Sequence, residues 1–459
     1  MSAAARYVTG LLAGLCAIAP LAAAQPATAA TQPGQPALGP GGSDYPHADF
    51  RVTEGGSGND AWYVFEPTAP QPKSAPLAVI MHGYFEYSGY AQAESLIRHT
   101  VRQGNVVVYP RWQTGVADPC PGPFNIEPCI SSTVNGVNGG LAYLRETPGV
   151  VRPQVQRTSY FGFSFGGIIT ANMLNRYVAL GLPKPRAVFL EDPHDGGLNG
   201  DGEPALDHSL GGIPSDVKLQ CHSSERGVLT EPGKERSSCN AVFPMLRHIP
   251  LANKDIVMTF ADAHGSPPLA APHGVCAGPS GSANAYDWNF CWKVWDGLRD
   301  AAYFRRNCRF ALGDTPEHSS NGRWSDGVPV ARLKIQDAAP IGPGSPDSKA
   351  VGGGCRGPKL KLRAKKTQDV GAARVSVTVD DAAELVVRGK ARGAGAALEP
   401  VTKEVRAGRR VKMRLRFHGG AGQLKRALAE PGSVVLKLKV IARNGDGGTI
   451  KKRTIRLTD

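Results

Sequence analysis

A glycine-flanked serine between a strand pattern and a helix pattern is the feature that most constrains the fold of this chain. The sequence Gly-Phe-Ser-Phe-Gly-Gly occupies residues 162–167, directly after an apolar run and directly before a helical pattern. A sharp turn from strand to helix leaves no space for side chains two residues before and two after its apex, where Gly162 and Gly166 stand. The pattern predicts a nucleophile elbow with Ser164 at its apex. The backbone N–H of Phe165 would then start a helix, where it can stabilise an oxyanion.

Apolar strand patterns alternate with helical patterns on both sides of this turn. Strands are predicted at residues 50–53, 62–66, 77–81, 106–109, 159–161, 187–190, 217–221 and 256–260, and helices at 92–102, 139–145, 168–180, 241–247 and 288–305. This alternation predicts an α/β domain whose doubly wound, mostly parallel sheet has helices on both faces. The ligand site of such a sheet lies at the carboxyl ends of its strands.

Charge divides the chain into two parts. Residues from 340 onward contain 27 Lys and Arg against 10 Asp and Glu, a net charge of +17, whereas the preceding residues sum to −3. The basic part contains runs of period two with one basic and one apolar face, at 359–363, 375–379, 411–416 and 436–440. Such runs predict antiparallel strands of a small all-β sandwich.

These patterns give a domain order. We expect the α/β domain at residues 44–337, a Pro-, Gly- and Ser-rich linker at 338–355, and a basic β-sandwich module at 356–459. Residues 1–24 have the basic start, apolar stretch and small-residue end of a secretory signal peptide, so the mature protein is expected to be secreted, without a membrane span. Residues 25–43 are rich in Ala, Pro, Gly, Gln and Thr and are expected to form a disordered leader.

Cysteine usage agrees with an oxidising compartment. Eight cysteines remain after Cys16 is removed with the signal, an even number that allows four disulfides. Nearest-neighbour pairing predicts Cys120–Cys129, Cys221–Cys239, Cys276–Cys291 and Cys308–Cys355. Zinc binding is the alternative, but neither C-x-x-C nor paired-histidine spacing supports it, and we predict no metal site.

A serine hydroxyl is a poor nucleophile, so Ser164 needs a histidine to accept its proton. In folds that carry their serine on a nucleophile elbow, the chain order is serine, acid, histidine. His264 follows the strand predicted at 256–260 and precedes a glycine, where a base is expected, and it is our predicted catalytic histidine. His273, in a Pro-rich loop, and His318, in a polar loop, are predicted to be surface residues.

A carboxylate must orient that histidine. Asp192 ends the strand predicted at 187–190 and precedes a proline, so it lies at the carboxyl edge of the sheet and is the favoured acid. Glu225, just past the next strand, is the alternative acid, with Asp195 and Asp262 behind it. Asp195 also begins an acidic, Gly-rich loop at 195–207 whose spacing misses the calcium-loop pattern and therefore favours a lid over a calcium site.

The second oxyanion donor is predicted in the turn His-Gly-Tyr at residues 82–84, which follows the strand at 77–81. The backbone N–H of Tyr84 would act together with that of Phe165. The ring of His82 is expected to brace the loop rather than to react.

Together these motifs resemble the α/β-hydrolase superfamily, in particular the branch of chlorophyllases, platelet-activating-factor acetylhydrolases and cutinase-like polyester hydrolases. The resemblance covers about residues 50–335 and rests on His-Gly-Tyr at 82–84, the elbow, Asp-Pro-His-Asp-Gly at 192–196 and Ala-His-Gly at 263–265. In chlorophyllase-like members the acid is similar to Asp192, and in cutinase-like members it lies nearer Glu225. The basic module resembles β-sandwich modules appended to secreted proteins in composition alone.

The resemblance implies a serine hydrolase that cleaves carboxylic esters through an acyl-enzyme intermediate, without a cofactor. A serine peptidase or amidase, and a non-catalytic binding protein with a polyanion-binding tail, are the alternatives. The basic module is expected either to bind an anionic cell-envelope polymer or particulate substrate or to act as a soluble spacer. Nucleic acid is not the expected partner, because residues 356–459 contain no Trp or Tyr and only one Phe, Phe417.

Overall fold

The computed structural model describes residues 29–115, 126–194, 205–227, 238–279, 281–342, 355–429, 434–444 and 446–459. Several predictions concern residues outside these ranges. They are the signal peptide, the disulfide partner Cys120, most of the acidic loop that begins at Asp195, and most of the linker. The remaining predictions can be compared with the structure.

A nine-stranded sheet forms the centre of the first domain. Its strands are β1 Asp49–Gly55, β2 Trp62–Thr68, β3 Ser74–Met81, β4 Val106–Pro110, β5 Arg152–Phe163, β6 Pro185–Glu191, β7 Lys218–Ser224, β8 Lys254–Thr259 and β9 Lys334–Gln336. They lie in the order β1-β2-β4-β3-β5-β6-β7-β8-β9. The six strands from β4 to β8 in this order are parallel, and β1, β2 and β9 are antiparallel additions at the two edges.

The helices of this domain lie on both faces of the sheet. They are α1 Glu94–Arg102, α2 Glu127–Glu146, α3 Phe165–Asn175, α4 Cys239–Val242, α5 Trp292–Phe304 and α6 Pro316–Ser319. Among the described residues, no helix is long and apolar enough to cross a membrane.

Alternation along each strand divides the core between the two faces. Leu77 and Val79 of β3 pack with α2 and α3 in one cluster of buried side chains. Ala78 and Ile80 of the same strand pack with α1 and α5 in the other. Because both faces are covered, β3 and β4 are apolar at nearly every position, as expected for buried parallel strands. This strand order with helices on both faces is the α/β-hydrolase fold, and the predicted fold class is confirmed.

The C-terminal part forms two sheets around a separate apolar core. Its elements are β10 Leu360–Arg363, β11 Thr367–Asp369, β12 Arg374–Val379, β13 Ala383–Arg392, β14 Ala396–Ala397, β15 Val401–Val405, β16 Val411–Arg414, α7 Gly422–Leu428, β17 Val435–Asn444 and β18 Gly447–Thr458. One sheet has the order β10-β12-β16, and the other has the order β11-β18-β17-β13-β14, with β15 also paired to β13. Valines and leucines of both sheets share one buried cluster. The predicted all-β domain is confirmed.

The prediction of a disordered leader is wrong for the described residues 29–43. The Thr31 N–H donates to Ser325 Oγ at 2.9 Å, and the Gly41 N–H donates to Asp296 Oδ2 at 2.9 Å. The Trp288 indole donates to the Pro33 carbonyl at 3.0 Å. Composition indicated a segment without a core of its own, but backbone hydrogen bonds to loops and helices of the α/β domain order it instead.

Three of the four predicted disulfides are present, namely Cys221–Cys239, Cys276–Cys291 and Cys308–Cys355. The fourth predicted pair includes Cys120, which lies outside the described residues. Cys308–Cys355 connects the α/β domain to the segment that leads into the β-sandwich. Next to it, Arg309 Nη1 lies 3.1 Å from Asp446 Oδ2, an ion pair between the two domains.

The fold shifts the pKa of a buried acid in β8 toward neutral pH. Asp255 in β8 is fully buried and accepts a hydrogen bond from the Gly313 N–H at 2.8 Å. Its Oδ1 has no hydrogen-bond partner among the described residues. Burial therefore raises the pKa of Asp255 to about 8, against about 3.9 in an unfolded chain.

We expect Asp255→Asn to flatten part of the pH dependence of stability. Between pH ~4 and ~8 the folded protein keeps the Asp255 proton that the unfolded chain loses. The contribution of this side chain to the free energy of unfolding is therefore complete below pH ~4 and disappears as pH rises through ~8. The asparagine variant should gain stability relative to the wild type over that interval. Urea unfolding of both proteins between pH 4.5 and 9 measures the difference, and parallel curves would contradict the assignment.

Candidate active site

Ser164 occupies the predicted turn between strand and helix. β5 ends at Phe163 and α3 begins at Phe165, while Ser164 between them has φ 54° and ψ −122°, a conformation that is unfavourable for a residue with a side chain. Its N–H donates to the Glu191 carbonyl at 2.9 Å, and its own carbonyl accepts from the N–H groups of Gly167 and His194. These bonds fix the strained residue at the carboxyl edge of the sheet.

The glycines around Ser164 are required by close backbone contacts. A Cβ on Gly162 would lie 2.2 Å from Thr170 Oγ1, and one on Gly166 would lie 2.2 Å from the His82 carbonyl oxygen. Gly83, in the loop after β3, is also confined, since its Cβ would lie 2.8 Å from Phe163 Cδ1 and 3.1 Å from Ser164 Cβ. The loop after β3 is thus packed directly against the turn that carries Ser164.

His273 is the histidine that reaches Ser164. Its Nε2 lies 2.9 Å from Ser164 Oγ, within hydrogen-bond distance. Its Nδ1 lies 3.7 Å from Asp192 Oδ2, which is longer than a hydrogen bond but leaves the carboxylate facing the imidazole. Hydrogen bonds of this kind are often long in unliganded sites and shorten when substrate binds. The structure therefore brings together Ser164, His273 and Asp192.

The prediction of His264 as the histidine beside Ser164 is corrected by this geometry. His264 Nε2 instead lies 2.7 Å from Asp326 Oδ2. The chain leaves β8, and the backbones of Asp262 and Leu269 pair to close a turn that contains His264. The chain then returns to the sheet edge at residues 271–273. Sequence reasoning found the correct strand end but not this excursion of the loop.

His318 is not a surface residue as predicted. It is fully buried, with Nδ1 2.9 Å from the Gly313 carbonyl oxygen and Nε2 3.1 Å from Gln220 Oε1. Burial lowers the pKa of His318 to about 3, so the ring is neutral and connects a loop to β7.

Asp192 follows β6 and is almost completely buried. Its Oδ1 accepts from the Ser224 N–H at 2.8 Å, and its Oδ2 accepts from Ser224 Oγ at 2.5 Å and from the Gly274 N–H at 3.3 Å. These donors satisfy the carboxylate while one oxygen faces His273. Ser224 was missed by sequence reasoning, although it ends β7 beside the strand that carries Asp192.

The alternative acids lie elsewhere. Glu225 Oε2 accepts from the Ala261 N–H at 2.7 Å, which connects the ends of β7 and β8. Asp262 accepts from the Trp324 indole and from the Ala331 N–H. Asp195 lies outside the described residues.

Glu191 precedes Asp192 and has a different environment. It is completely buried, and its Oε1 accepts from the Cys276 N–H at 2.5 Å. Burial, together with the charge of Asp192, raises the pKa of Glu191 well above its ordinary value. Burial therefore disfavours a charge on Glu191, and Asp192 is the acid of this pair that faces His273.

The loop that carries His273 is fixed by backbone bonds and by a disulfide. Besides the Gly274 and Cys276 N–H bonds to the two acids, the Arg226 N–H donates to the Ala271 carbonyl at 3.1 Å. The Cys276–Cys291 disulfide joins the loop to the start of α5. The sequence signal for this position was a histidine between a proline and a glycine, three residues before a cysteine. In the structure this glycine has a positive φ.

The predicted oxyanion residues lie on two sides of the serine. Phe165 is the first residue of α3, and Tyr84 lies in the loop after β3, with the centroids of their rings 6.0 Å apart. His82 stacks on Trp112 at 4.7 Å, and its Nδ1 lies 2.8 Å from the Gly83 carbonyl oxygen. Burial lowers the pKa of His82 to about 4, so the ring is neutral and supports the loop.

A metal site is not evident in the described part of the chain, where no three His, Cys, Asp or Glu side chains are grouped to hold an ion. Of the acidic loop, only its C-terminal end is described. There Asp207 accepts from Asn175 Nδ2 at 2.8 Å and pairs with Arg176 at 3.1 Å.

Comparison with known proteins gives distant structural similarity. No family model and no curated protein matches the sequence. The chain is similar to a thermostable esterase from Pseudomonas putida, with 14% identity over 39% of this chain and 65% of that chain and a TM-score of 0.28. It is also similar to carboxyl esterase 2 of the fungus Tuber melanosporum (13% identity, 47% and 77% of the two chains, TM-score 0.33) and to esterase B of Lactobacillus rhamnosis (12%, 39% and 67%, 0.29).

The chain thus spans 65% of the length of the Pseudomonas putida esterase. At these identities and TM-scores the similarity indicates nothing about the reaction.

The close contact at Gly166 gives a test of the elbow. Its Cβ position is blocked by the His82 carbonyl, which belongs to the backbone and cannot rotate away, so Gly166→Ala should destabilise the protein by about 1–3 kcal/mol. The control is Gly422→Ala in α7, where no atom lies within 4 Å of the Cβ position and no loss is expected. Urea unfolding compares the two, and equal stabilities would contradict the contact.

Proposed function

We propose that this protein is a secreted serine hydrolase that cleaves carboxylic esters through an acyl-enzyme intermediate. The observation that carries the proposal is the 2.9 Å distance between His273 Nε2 and Ser164 Oγ, with Asp192 on the far side of the imidazole. A serine, a histidine and a buried carboxylate in this relation are the groups that activate a hydroxyl for acyl transfer.

In the proposed mechanism Ser164 Oγ attacks the ester carbonyl while His273 Nε2 accepts the hydroxyl proton. Asp192 holds the ring orientation and stabilises the imidazolium. The negative charge on the tetrahedral carbonyl oxygen is stabilised by the N–H groups of Tyr84 and Phe165. His273 then returns the proton to the departing alcohol, and a water molecule activated by the same histidine releases the acid.

Three features favour this assignment over a non-catalytic fold. Ser164 keeps a strained backbone conformation of the kind that clusters at active sites. Asp192 is a buried carboxylate with donors from Ser224 and Gly274 around it. Burial raises the pKa of Glu191, which disfavours a second charge in the site. A structural turn would need none of these arrangements.

Apolar side chains next to the site favour an apolar ester. Phe85 is 55% exposed and its ring lies 4.4 Å from that of Tyr84, while Tyr87 is 37% exposed in the same loop. Such side chains can bind the hydrocarbon part of a substrate next to Ser164. This is consistent with the resemblance to chlorophyllase-like and cutinase-like enzymes, whose branch we include in the proposal.

Secretion belongs to the same proposal. It is supported by the signal-like pattern of residues 1–24 and by three disulfides, which form and persist in oxidising compartments.

The catalytic assignment is tested by a pair of histidine variants. His273→Ala should lower kcat/KM for p-nitrophenyl butyrate by about 10⁴-fold or more, because it removes the base. His264→Ala, the matched control at an exposed histidine of the same connection, should stay within about threefold of the wild type. A fluorophosphonate probe should label the wild type and not Ser164→Ala. An active His273→Ala with an inactive His264→Ala would overturn the assignment.

The substrate class is tested with matched leaving groups. The wild type should hydrolyse p-nitrophenyl butyrate and leave the corresponding p-nitroanilide essentially unchanged. Comparable rates on the two would instead identify an amidase or peptidase. A folded protein that neither reacts with the probe nor hydrolyses either compound would identify a binding protein.

A further inference from the structure

The outer face of the larger C-terminal sheet carries a regular set of cations. Adjacent strands β13, β17 and β18 are antiparallel, and their register brings outward-facing residues directly opposite one another in rows. Three successive rows contain nine positions, of which seven are Lys or Arg and none is acidic. We call these seven the basic lattice: Arg388, Lys390 and Arg392 of β13, Lys437 and Lys439 of β17, and Lys452 and Arg456 of β18.

One row of the lattice is composed entirely of cations. Arg388 lies opposite Lys439, and Lys439 lies opposite Lys452. Neighbouring strands are about 4.8 Å apart and successive rows about 6.8 Å apart, so the charges form a dense grid. Like charges directly opposite on adjacent strands are destabilising. All seven side chains are exposed, and none has an ion-pair partner among the residues that the structure describes.

The other sheet of the module does not have this arrangement. Its outer face is also basic, and Arg374 lies opposite Arg414, but Ser376 separates Arg363 from Lys412 in the outward row that crosses all three strands. The same sheet is different two rows away from Arg388, where Arg443 has an acidic partner, Glu384, and its charge is neutralised. A complete row of three opposed cations therefore occurs in the lattice and not in the described rows of the other sheet.

The side chains around the basic lattice indicate which class of ligand can neutralise its positive charge. The strands supply no aromatic side chain on which a nucleic-acid base or a sugar ring could stack, and Phe417 is buried in the core between the sheets. The apolar side chains at the rim, Ile441 and Ile450, occupy one row only. A chain of closely spaced anionic groups matches the rows of cations by charge alone and needs neither stacking nor insertion.

We propose that the basic lattice is a binding site for a flexible linear polyanion, a polymer chain of phosphate or carboxylate groups. The site does not depend on the proposed catalytic function, because it shares no residue with the candidate active site. The interdomain disulfide Cys308–Cys355 and the Arg309–Asp446 ion pair connect the lattice to the α/β domain, so a polymer bound here would retain the whole protein.

The full chain is tested for binding of inorganic polyphosphate and of poly-L-glutamate at 50 mM salt, by isothermal titration calorimetry. Binding of either polymer supports the site, and the tighter of the two identifies the preferred anionic group. The affinity should fall about a thousandfold between 50 and 200 mM salt if six or more charges are neutralised.

Two triple variants with the same change in net charge locate the site. Arg388→Gln with Lys439→Gln and Lys452→Gln should weaken binding about a hundredfold, since each surface cation contributes about fivefold toward an anionic surface. The control, Lys361→Gln with Arg363→Gln and Lys412→Gln on the other sheet, should weaken it by less than about tenfold. Circular dichroism checks that both variants are folded.

Four outcomes would overturn the proposal. They are equal losses in the two triple variants, no binding of either polymer by the folded wild type, tighter binding of single-stranded DNA than of polyphosphate of equal charge, and binding only to vesicles of anionic lipid.

Discussion

The backbone of Ser164 is the constraint on which the remainder of the candidate site depends. A residue with φ 54° directly between β5 and α3 can exist only where the neighbouring chain comes close enough to fix it. Gly162 permits α3 to start close to β5, Gly166 permits the approach of the loop after β3, and Gly167 permits the approach of Pro193 after β6. The oxyanion candidates and Asp192 are thus positioned by the same packing that holds Ser164, and all of them lie at the carboxyl ends of parallel strands.

His273 is positioned in a different way. It stands on no helix or strand, and its place is set by the Gly274 and Cys276 N–H groups, which donate to Asp192 and Glu191, and by the disulfide to Cys291. The acid that faces the histidine is therefore also bonded to the histidine's own loop. Burial raises the pKa of Glu191, so the buried pair of acids presents Asp192, and not a second charge beside it, to the imidazole.

The sequence predicted those features that follow from periodicity and from strand ends. Apolar runs placed the central strands, the elbow glycines identified Ser164, and the residue after β6 identified the buried Asp192. The prediction of the histidine beside Ser164 was wrong because hydrophobic periodicity gives no information about the path of an irregular loop. Pairing of Asp262 with Leu269 diverts the chain and delays its return by nine residues from His264 to His273.

The ordered segment 29–43 was missed for a related reason, since its hydrogen-bond partners are distant in sequence. Strands β13 and β18 were missed because their apolar alternation is interrupted, by Gly389 in β13 and by Lys451 and Arg453 in β18. These two strands carry most of the basic lattice.

The distribution of charge separates the two proposed activities. The residues before 340 sum to −3 and the remainder to +17, so a polyanion is attracted to the β-sandwich and not to the domain that contains Ser164. The exposed side chains in the loop after β3, Phe85 and Tyr87, carry no positive charge that would attract such a polymer. A protein retained on an anionic polymer by one domain therefore keeps its candidate active site free for an uncharged ester. Since screening by salt weakens the first interaction and leaves apolar binding largely unaffected, ionic strength should control where the protein resides without controlling how fast it turns over.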